Sequence, residues 1–207
     1  MIIRELKPSQ HKRGRWLAVM EDGSVLRLGE NEVIQFSLYT GRKLGEEEAQ
    51  ALLDSTLRSE RKEKALSLLA RKPMSRWELE RKMGEWGAVE EEIAATCDRL
   101  EELGMLNDAA YAQQVVRHYS AKGFGVKKLR DELYRRGVAR MFWDEALEQA
   151  EDPSNAIDEF IRKKLAGRAP DRKEVQKISA ALARRGYGWS VIRDALGRCG
   201  AETGDYE

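Results

Sequence analysis

Two cysteines and two histidines are all that 207 residues contain. That scarcity excludes several chemistries at once. Cys97 and Cys199 lie far apart, in no Cys-x-x-Cys pair and near no histidine pair, so they read as free structural thiols of a reducing cytosol rather than a disulfide framework or a zinc site. His11 and His118 have no second ligand at metal spacing. Aromatic residues make up only 7% of the chain, which argues for thin cores. No apolar run approaches the roughly 18 residues of a membrane span, and the opening Met1–Lys7 has neither the apolar stretch nor the small-residue cleavage site of a secretion signal. The expected location is therefore the cytoplasm. A phosphate-cradling glycine loop, a nucleophile elbow and a histidine–carboxylate cluster are all missing. No enzyme activity and no cofactor are expected.

Charge is what the chain has in abundance: 35% of its residues are Asp, Glu, Lys or Arg, with a net charge of only +1. The balance is uneven along the chain. Residues 62–106 hold 8 basic and 10 acidic residues, residues 117–140 hold 8 and 2, and residues 153–198 hold 11 and 5. A negatively charged partner would meet the C-terminal half.

The first forty residues form a module of their own. Asp22-Gly23 between two apolar runs predicts a hairpin with a two-residue turn, which pairs Val19 with Leu26 and Leu17 with Leu28 and places those four on the buried face. Ile2–Leu6 is a candidate third strand, residues 30–38 a short helix, and Thr40-Gly41-Arg42 a turn. From Gly45 onward the pattern is helical. Residues 46–72 contain no glycine or proline, and Pro73 stops the run. Ser75 and Glu78 make a capping box. Gly84 and Gly87 end the helix it opens, and a further helix over 88–103, with Ile93, Cys97 and Leu100 inward, stops at Gly104.

The chain then repeats itself. Residues 128–147 align with 177–196 without a gap, and seven of twenty positions are identical, among them an Arg-Arg-Gly corner at 135–137 and again at 184–186. At an offset of 50, Leu79, Met83, Gly87 and Ile93 fall on Leu129, Leu133, Gly137 and Trp143. Three units result, 59–106, 107–150 and 151–198, each reading helix, helix, glycine, helix. They follow an N-terminal module over 1–58 and precede a disordered tail over 199–207. One such unit buries little alone, and stacked neighbours share cores. The corner glycine marks a left-handed helix stop, and the arginines before it favour the negative end of the helix dipole.

On a helical wheel, Lys173, Lys177 and Arg184 share a row away from the buried Val175, Ile178 and Leu182, and Lys128 and Arg135 occupy the same row one unit earlier. Two readings stay open: a basic stripe for a polyanion, or a solvated face interrupted by Asp131, Glu132 and Glu174. Arg117, Lys122 and Lys127 add charge to the middle unit. Trp77, Trp86, Trp143 and Trp189 fall at core-compatible places, whereas Phe124 and Tyr187 flank loop glycines as candidate exposed contacts. No helix is rich enough in Arg, Asn and Gln to read as a base-reading helix.

Ala65–Leu79, Leu103-Gly104-Met105-Leu106-Asn107-Asp108 with Tyr111, Ala112 and Arg117, Glu132-Leu133 with Arg136-Gly137-Val138, and Leu182 with Arg184-Arg185-Gly186-Tyr187 together resemble the RecX regulatory proteins over roughly residues 60–197. Asn107 departs from the aspartate usual there and still suits a helix cap. The resemblance implies a mainly α fold of three tandem three-helix repeats in an elongated, curved body. It also implies a non-enzymatic, monomeric modulator of the RecA recombinase in homologous recombination, DNA repair and the SOS response. Such proteins lie in the groove of the RecA filament on single-stranded DNA and inhibit its ATPase and strand exchange; duplex DNA would bind more weakly. Arg136, Arg140 and Arg185 join the cations above as expected filament or DNA contacts. The other open readings are a free-standing helix-turn-helix DNA-binding protein and a helical interaction scaffold.

Overall fold

The computed structural model describes residues 1–166 and 171–200. Its contacts divide the chain into two compact units, Met1–Lys72 with Arg81–Asp98, and Pro73–Glu80 with Arg99 onward.

The first unit begins with an antiparallel sheet of β1 (Ile3–Pro8), β2 (Arg15–Met20) and β3 (Val25–Gly29), in that order. The hairpin turn is one residue longer than the sequence suggests. Met20 N–H donates to the Ser24 carbonyl (2.8 Å) and Gly23 N–H to the Met20 carbonyl (3.0 Å), so Glu21, Asp22 and Gly23 form a three-residue loop with Gly23 at φ +84°. The extra residue shifts the register by one. Val19 pairs with Val25, Ala18 with Leu26 and Trp16 with Leu28. Because side chains alternate along a strand, the shift turns β2 over, while Leu26 and Leu28 of β3 stay toward the core as expected. Ala18, Met20 and Leu28 are buried with Ile3, Leu38, Leu44 and Leu52, whereas Leu17 and Val19 are only half-buried and Val25 is exposed. The expected pairing of Val19 with Leu26 and Leu17 with Leu28 is thereby corrected.

The short helix α1 (Glu30–Gln35) leads to α2 (Glu46–Arg71), 26 residues that end just before Pro73 as expected. Glu32 joins the two: its buried carboxylate accepts from Gly29 N–H (2.9 Å) and Ser59 Oγ (2.5 Å). Next come α3 (Arg76–Glu85) and α4 (Glu90–Glu102). The capping box is present, with Glu78 N–H donating to Ser75 Oγ and Ser75 N–H to the Glu78 carboxylate, both at 3.1 Å. In α4, Cys97 and Leu100 are buried and Ile93 is half-buried.

The second unit carries two successive three-helix repeats. The middle repeat has α5 (Asp108–Ser120), α6 (Val126–Arg135) and, after a 3-10 turn over Arg140–Phe142, α7 (Trp143–Glu148). Asn107 caps α5 by accepting from Ala110 N–H (2.9 Å). The last repeat has α8 (Ser154–Leu165), α9 (Arg172–Arg184) and α10 (Trp189–Arg198). Each repeat encloses its own core, Tyr111, Val115, Leu129 and Leu133 in the middle one, and Ile157, Ile178, Leu182 and Ile192 in the last. The expected fold, mainly α with three three-helix repeats behind a small β module, is the one observed. Residues 201–207 of the expected tail lie outside the described residues. Among the described residues no helix is long and apolar enough to cross a membrane.

Candidate nucleic-acid interface

A helix that ends on a left-handed glycine turns its last carbonyls outward, where they need donors. The three corners supply the residue before the glycine at equivalent positions: Trp86, Arg136 and Arg185. In the first repeat, Arg61 Nε of α2 donates to the Trp86 carbonyl (3.2 Å). In the middle repeat, Ser75 Oγ donates to the Arg136 carbonyl. In the last, Gly125 N–H donates to the Arg185 carbonyl (2.9 Å), and Lys127 N–H donates to the Gly186 carbonyl (3.1 Å). Ser75 and Gly125 are themselves equivalent, each preceding the second helix of its repeat. The corners of the middle and last repeats therefore dock on the start of the second helix of the repeat before, which gives the duplicated Arg-Arg-Gly a structural purpose.

The joint at Gly137 is built from side chains. A Cβ at Gly137, whose φ is +65°, would stand 2.5 Å from the Trp77 ring, so the indole lies on the corner. Tyr111 Oη donates to Glu78 (2.9 Å), and Arg136 donates to Tyr111 Oη (2.9 Å) and Tyr119 Oη (3.2 Å). Burial, helped by the bond to Glu78, pushes the Tyr111 hydroxyl up to about 12. Asp108 accepts the Arg76 N–H (2.7 Å), yet its burial still raises its carboxyl above the ordinary value. Beside this network Glu132 is only 2% exposed and holds Arg135 at 2.6 Å and Lys128 at 3.3 Å. Burial alone would raise the Glu132 carboxyl; the bonds from Arg135 and Lys128 outweigh it and hold the carboxyl below its usual value.

The joint at Gly186 is built from backbone. A Cβ at Gly125 would stand 2.5 Å from the Gly186 carbonyl oxygen, and one at Gly186 would collide with the backbone nitrogen of Lys128. Arg185 leaves its corner to lie 4.6 Å over the Phe160 ring. An open cleft of about 490 Å³ lies in the N-terminal module and another of about 460 Å³ beside this joint.

The expected cations thus separate into two groups. Lys128, Arg135 and Arg136 all face Glu132 within 4 Å, so much of their charge is already matched. Arg117, Lys127, Lys173, Lys177 and Arg184 are exposed and make no ion pair among the described residues. Lys122 is exposed above the Tyr119 ring (5.6 Å) and Arg140 above the Trp143 ring (5.9 Å). The Gly186 joint sets the start of α6, with Lys127 and Lys128, against the corner that carries Arg184 and Arg185, through Gly125 N–H to the Arg185 carbonyl and Lys127 N–H to the Gly186 carbonyl. Lys173 and Lys177 continue the row along α9.

The aromatic expectations need correction. Tyr187 is buried at 5% exposure and Phe124 is half-buried on the core of the middle repeat, because each follows a glycine stop and folds back under it. Conversely Trp77 and Trp189 are 44% and 49% exposed. Both sit at the first turn of a helix, where a side chain can lie across a corner instead of inside a core. The network of Glu78, Tyr111, Tyr119 and Glu132 was not among the expected residues. Its one sequence signal is Glu132, an acid at an inward position between Leu129 and Leu133. Among the described residues no cluster of His, Cys, Asp and Glu suits a metal ion.

Comparison with known proteins follows the same division. Family models described as the first, second and third three-helix domains of RecX match residues 62–100, 107–147 and 145–196. The regulatory protein RecX of Pseudomonas putida is 36% identical over 144 residues, 69% of this chain and 91% of that protein. That of Ectopseudomonas mendocina is 38% identical over 137 residues, 65% and 91% of the two chains. A crystal structure of a regulatory protein RecX superposes with a TM-score of 0.72 at 22% identity, over 94% of this chain and all of the other. RecX from Lactobacillus salivarius gives 0.66 at 21% identity, over 70% and 98%. With its three domains matched in order and its relatives covered almost end to end, this chain belongs to the RecX family of regulatory proteins.

Proposed function

We propose that this protein is a non-enzymatic, monomeric regulator that binds the RecA filament on single-stranded DNA, lies in its groove, and inhibits its ATPase and strand exchange. Family membership supports the regulatory role. The observation that carries the DNA contact is the set of exposed, unpaired cations running from Lys127 across the Gly186 joint to Arg184, Lys177 and Lys173. Such groups serve phosphates, whose spacing is regular and whose recognition needs no base reading. The cations facing Glu132 hold the middle repeat together, and the free charge is shared between Arg117, Lys122, Lys127 and Arg140 of the middle repeat and Lys173, Lys177 and Arg184 of the last.

The test is a titration into preformed RecA filaments on single-stranded DNA, following ATP hydrolysis, with a parallel measurement of binding to bare DNA. Hydrolysis is expected to fall at protein concentrations well below those that coat bare DNA. Unchanged hydrolysis with tight duplex binding would instead mark a free-standing DNA-binding protein.

A further inference from the structure

We propose that the open edge of β3 and the adjoining face of α2 form a docking groove for an extended peptide of a protein partner, which joins the sheet as a fourth strand. The inference is independent of the nucleic-acid reading above.

The two edges of the sheet differ. The chain itself covers the β1 edge: Ile3 N–H donates to the Arg42 carbonyl (2.9 Å), Gly41 N–H to the Ile3 carbonyl (2.8 Å) and Leu6 N–H to Thr40 Oγ1 (3.1 Å). On the other side, Met20 N–H to the Ser24 carbonyl and Glu30 N–H to the Gly14 carbonyl fix the phase of the β2–β3 ladder. Antiparallel pairing then gives the ladder bonds to residues 24, 26, 28 and 30 and turns the backbone groups of 25, 27 and 29 outward. Gly29 N–H is taken by Glu32 (2.9 Å). The N–H and carbonyl groups of Val25 and Arg27 have no partner among the described residues. An unpaired edge is a template for one more strand.

Beside this edge runs a cleft of about 740 Å³. Leu17, Val25 and Leu26 line it from the sheet, and Leu53 and Leu57 from α2. Val25 and Leu57 are 51% and 48% exposed, so apolar lining stands open to water. From Gln50 to Glu60 the α2 lining spans about 15 Å of helix, the length of about four or five extended residues. A rounded ligand would fill the cleft and leave the four edge groups unbonded; an extended chain satisfies both.

Charge sets the pattern of its side chains. Arg27 stands on the strand wall, Asp54 and Glu60 stand on the helix wall, and none of the three makes an ion pair among the described residues. Side chains of an added strand alternate between the faces of the sheet. Those on the α2 side meet Leu53 and Leu57 with the two carboxylates, which suits apolar residues and a lysine. Those on the open side lie beside Val25 and Arg27, which suits an acid opposite Arg27.

The test uses the full chain and a dye-labelled, amidated peptide, Thr-Val-Glu-Val-Thr-Lys, which carries that pattern. Fluorescence anisotropy reads its affinity, and amide hydrogen exchange by NMR reads the edge. The peptide is expected to bind and to slow exchange of the Val25 and Arg27 amides. N-methylation of every second peptide amide blocks one edge of the peptide and spares the other. Of the two peptides methylated in opposite phase, one should bind as the parent does and the other roughly tenfold or more weakly, for two lost hydrogen bonds. Val25→Pro, at the first residue of an edge strand where proline is tolerated, removes one outward N–H and no ladder bond, and should weaken binding roughly fivefold. Leu57→Glu, at an exposed helix position, should weaken it as well and carries the test if Val25→Pro does not fold. Exchange at Val25 and Arg27 that stays as fast with millimolar peptide as without it would overturn the proposal. So would equal losses from the two methylated peptides, or binding indifferent to Leu57→Glu. If the chain alone sedimented as a dimer that Leu57→Glu or Val25→Pro dissociated, the edge would belong to a second copy and the peptide reading would be overturned.

Discussion

The joints at Gly137 and Gly186 use the same three residues, Arg-Arg-Gly, and hold them by different means. At Gly137 the neighbouring repeat offers Ser75 and Trp77, and the contact is a hydroxyl, an indole and a ring of tyrosines and carboxylates around Arg136. At Gly186 the neighbour offers Gly125 and Lys127, and the contact is two backbone hydrogen bonds between surfaces too close for side chains. Identity of a repeated motif therefore does not fix its role. The residues it meets decide what becomes of its arginines: Arg136 bonds two tyrosines whereas its equivalent Arg185 lies over Phe160, and Arg135 pairs with Glu132 whereas its equivalent Arg184, with Ala181 in the place of that acid, makes no ion pair among the described residues. The difference also places the free charge: where Ala181 stands in place of Glu132, Arg184 and Lys177 keep their charge unpaired among the described residues.

Substitutions can break this contrast. The largest effect is expected from Gly186→Ala, where left-handed strain of about 1–2 kcal/mol adds to a backbone collision that no rotamer relieves, costing a further ~1–3 kcal/mol. At Gly137 the obstacle is Trp77, whose ring can rotate but whose Cβ, 2.6 Å from the added methyl, moves only with its backbone, so Gly137→Ala should cost more than the strain alone and less than Gly186→Ala, where the obstacle is backbone itself. Thermal denaturation of the two variants side by side checks the order, and an equal loss would mean that the joints are built alike.

Arg136→Met comes next. It leaves two tyrosine hydroxyls without their donor and removes the cation 3.9 Å from Glu78, at about 1.5–3 kcal/mol, whereas Arg184→Met should change stability by less than about 0.5 kcal/mol. Urea midpoints of the pair read the difference directly.

Smaller still is a pH effect at Glu132. Its folded carboxyl sits below the ordinary value, so its stabilisation is complete above the unfolded glutamate pKa and disappears as pH falls through the lower folded one. Glu132→Gln should remove that acid-side decline and lower stability at neutral pH. Asp108 has the opposite sign: its raised carboxyl costs stability at neutral pH and returns it on protonation. Denaturation between pH 3 and pH 7, roughly spanning the carboxylate range, separates the two; an unchanged acid limb in Glu132→Gln would contradict the assignment.

The smallest effect on stability belongs to Lys173→Glu, Lys177→Glu and Arg184→Glu combined, which touch no partner among the described residues. Their signature is in binding: the salt dependence on single strands should fall by roughly 0.7 for each phosphate that the variant no longer neutralises.

How much of this was legible in the sequence depends on distance along the chain. Ser75 and Glu78 declare a capping box because both partners lie within one turn, and Asn107 declares a cap for the same reason. The repeat is legible because its apolar spacing recurs. The hairpin register was not, because Asp22-Gly23 marks a turn without saying whether Glu21 belongs to the loop or to the strand, and that one residue turns β2 over. The joint was not legible either. Arg136 meets Tyr111, Tyr119 and Glu78 across 25, 17 and 58 residues of chain, and nothing local distinguishes it from Arg184 or Arg185. The basic row was visible on the helical wheel, but the burial of Glu132, which removes Lys128 and Arg135 from it, required the packing of the middle repeat.

The most direct test is ATP hydrolysis by preformed RecA filaments on single-stranded DNA, titrated with the wild-type chain and with the Lys173→Glu, Lys177→Glu, Arg184→Glu variant. The wild-type protein should suppress hydrolysis at concentrations below those that coat bare DNA, and the folded variant should retain little of that suppression. A folded variant that inhibits as well as the wild type would show that the free cations of the last repeat do not hold the filament, and would contradict the account.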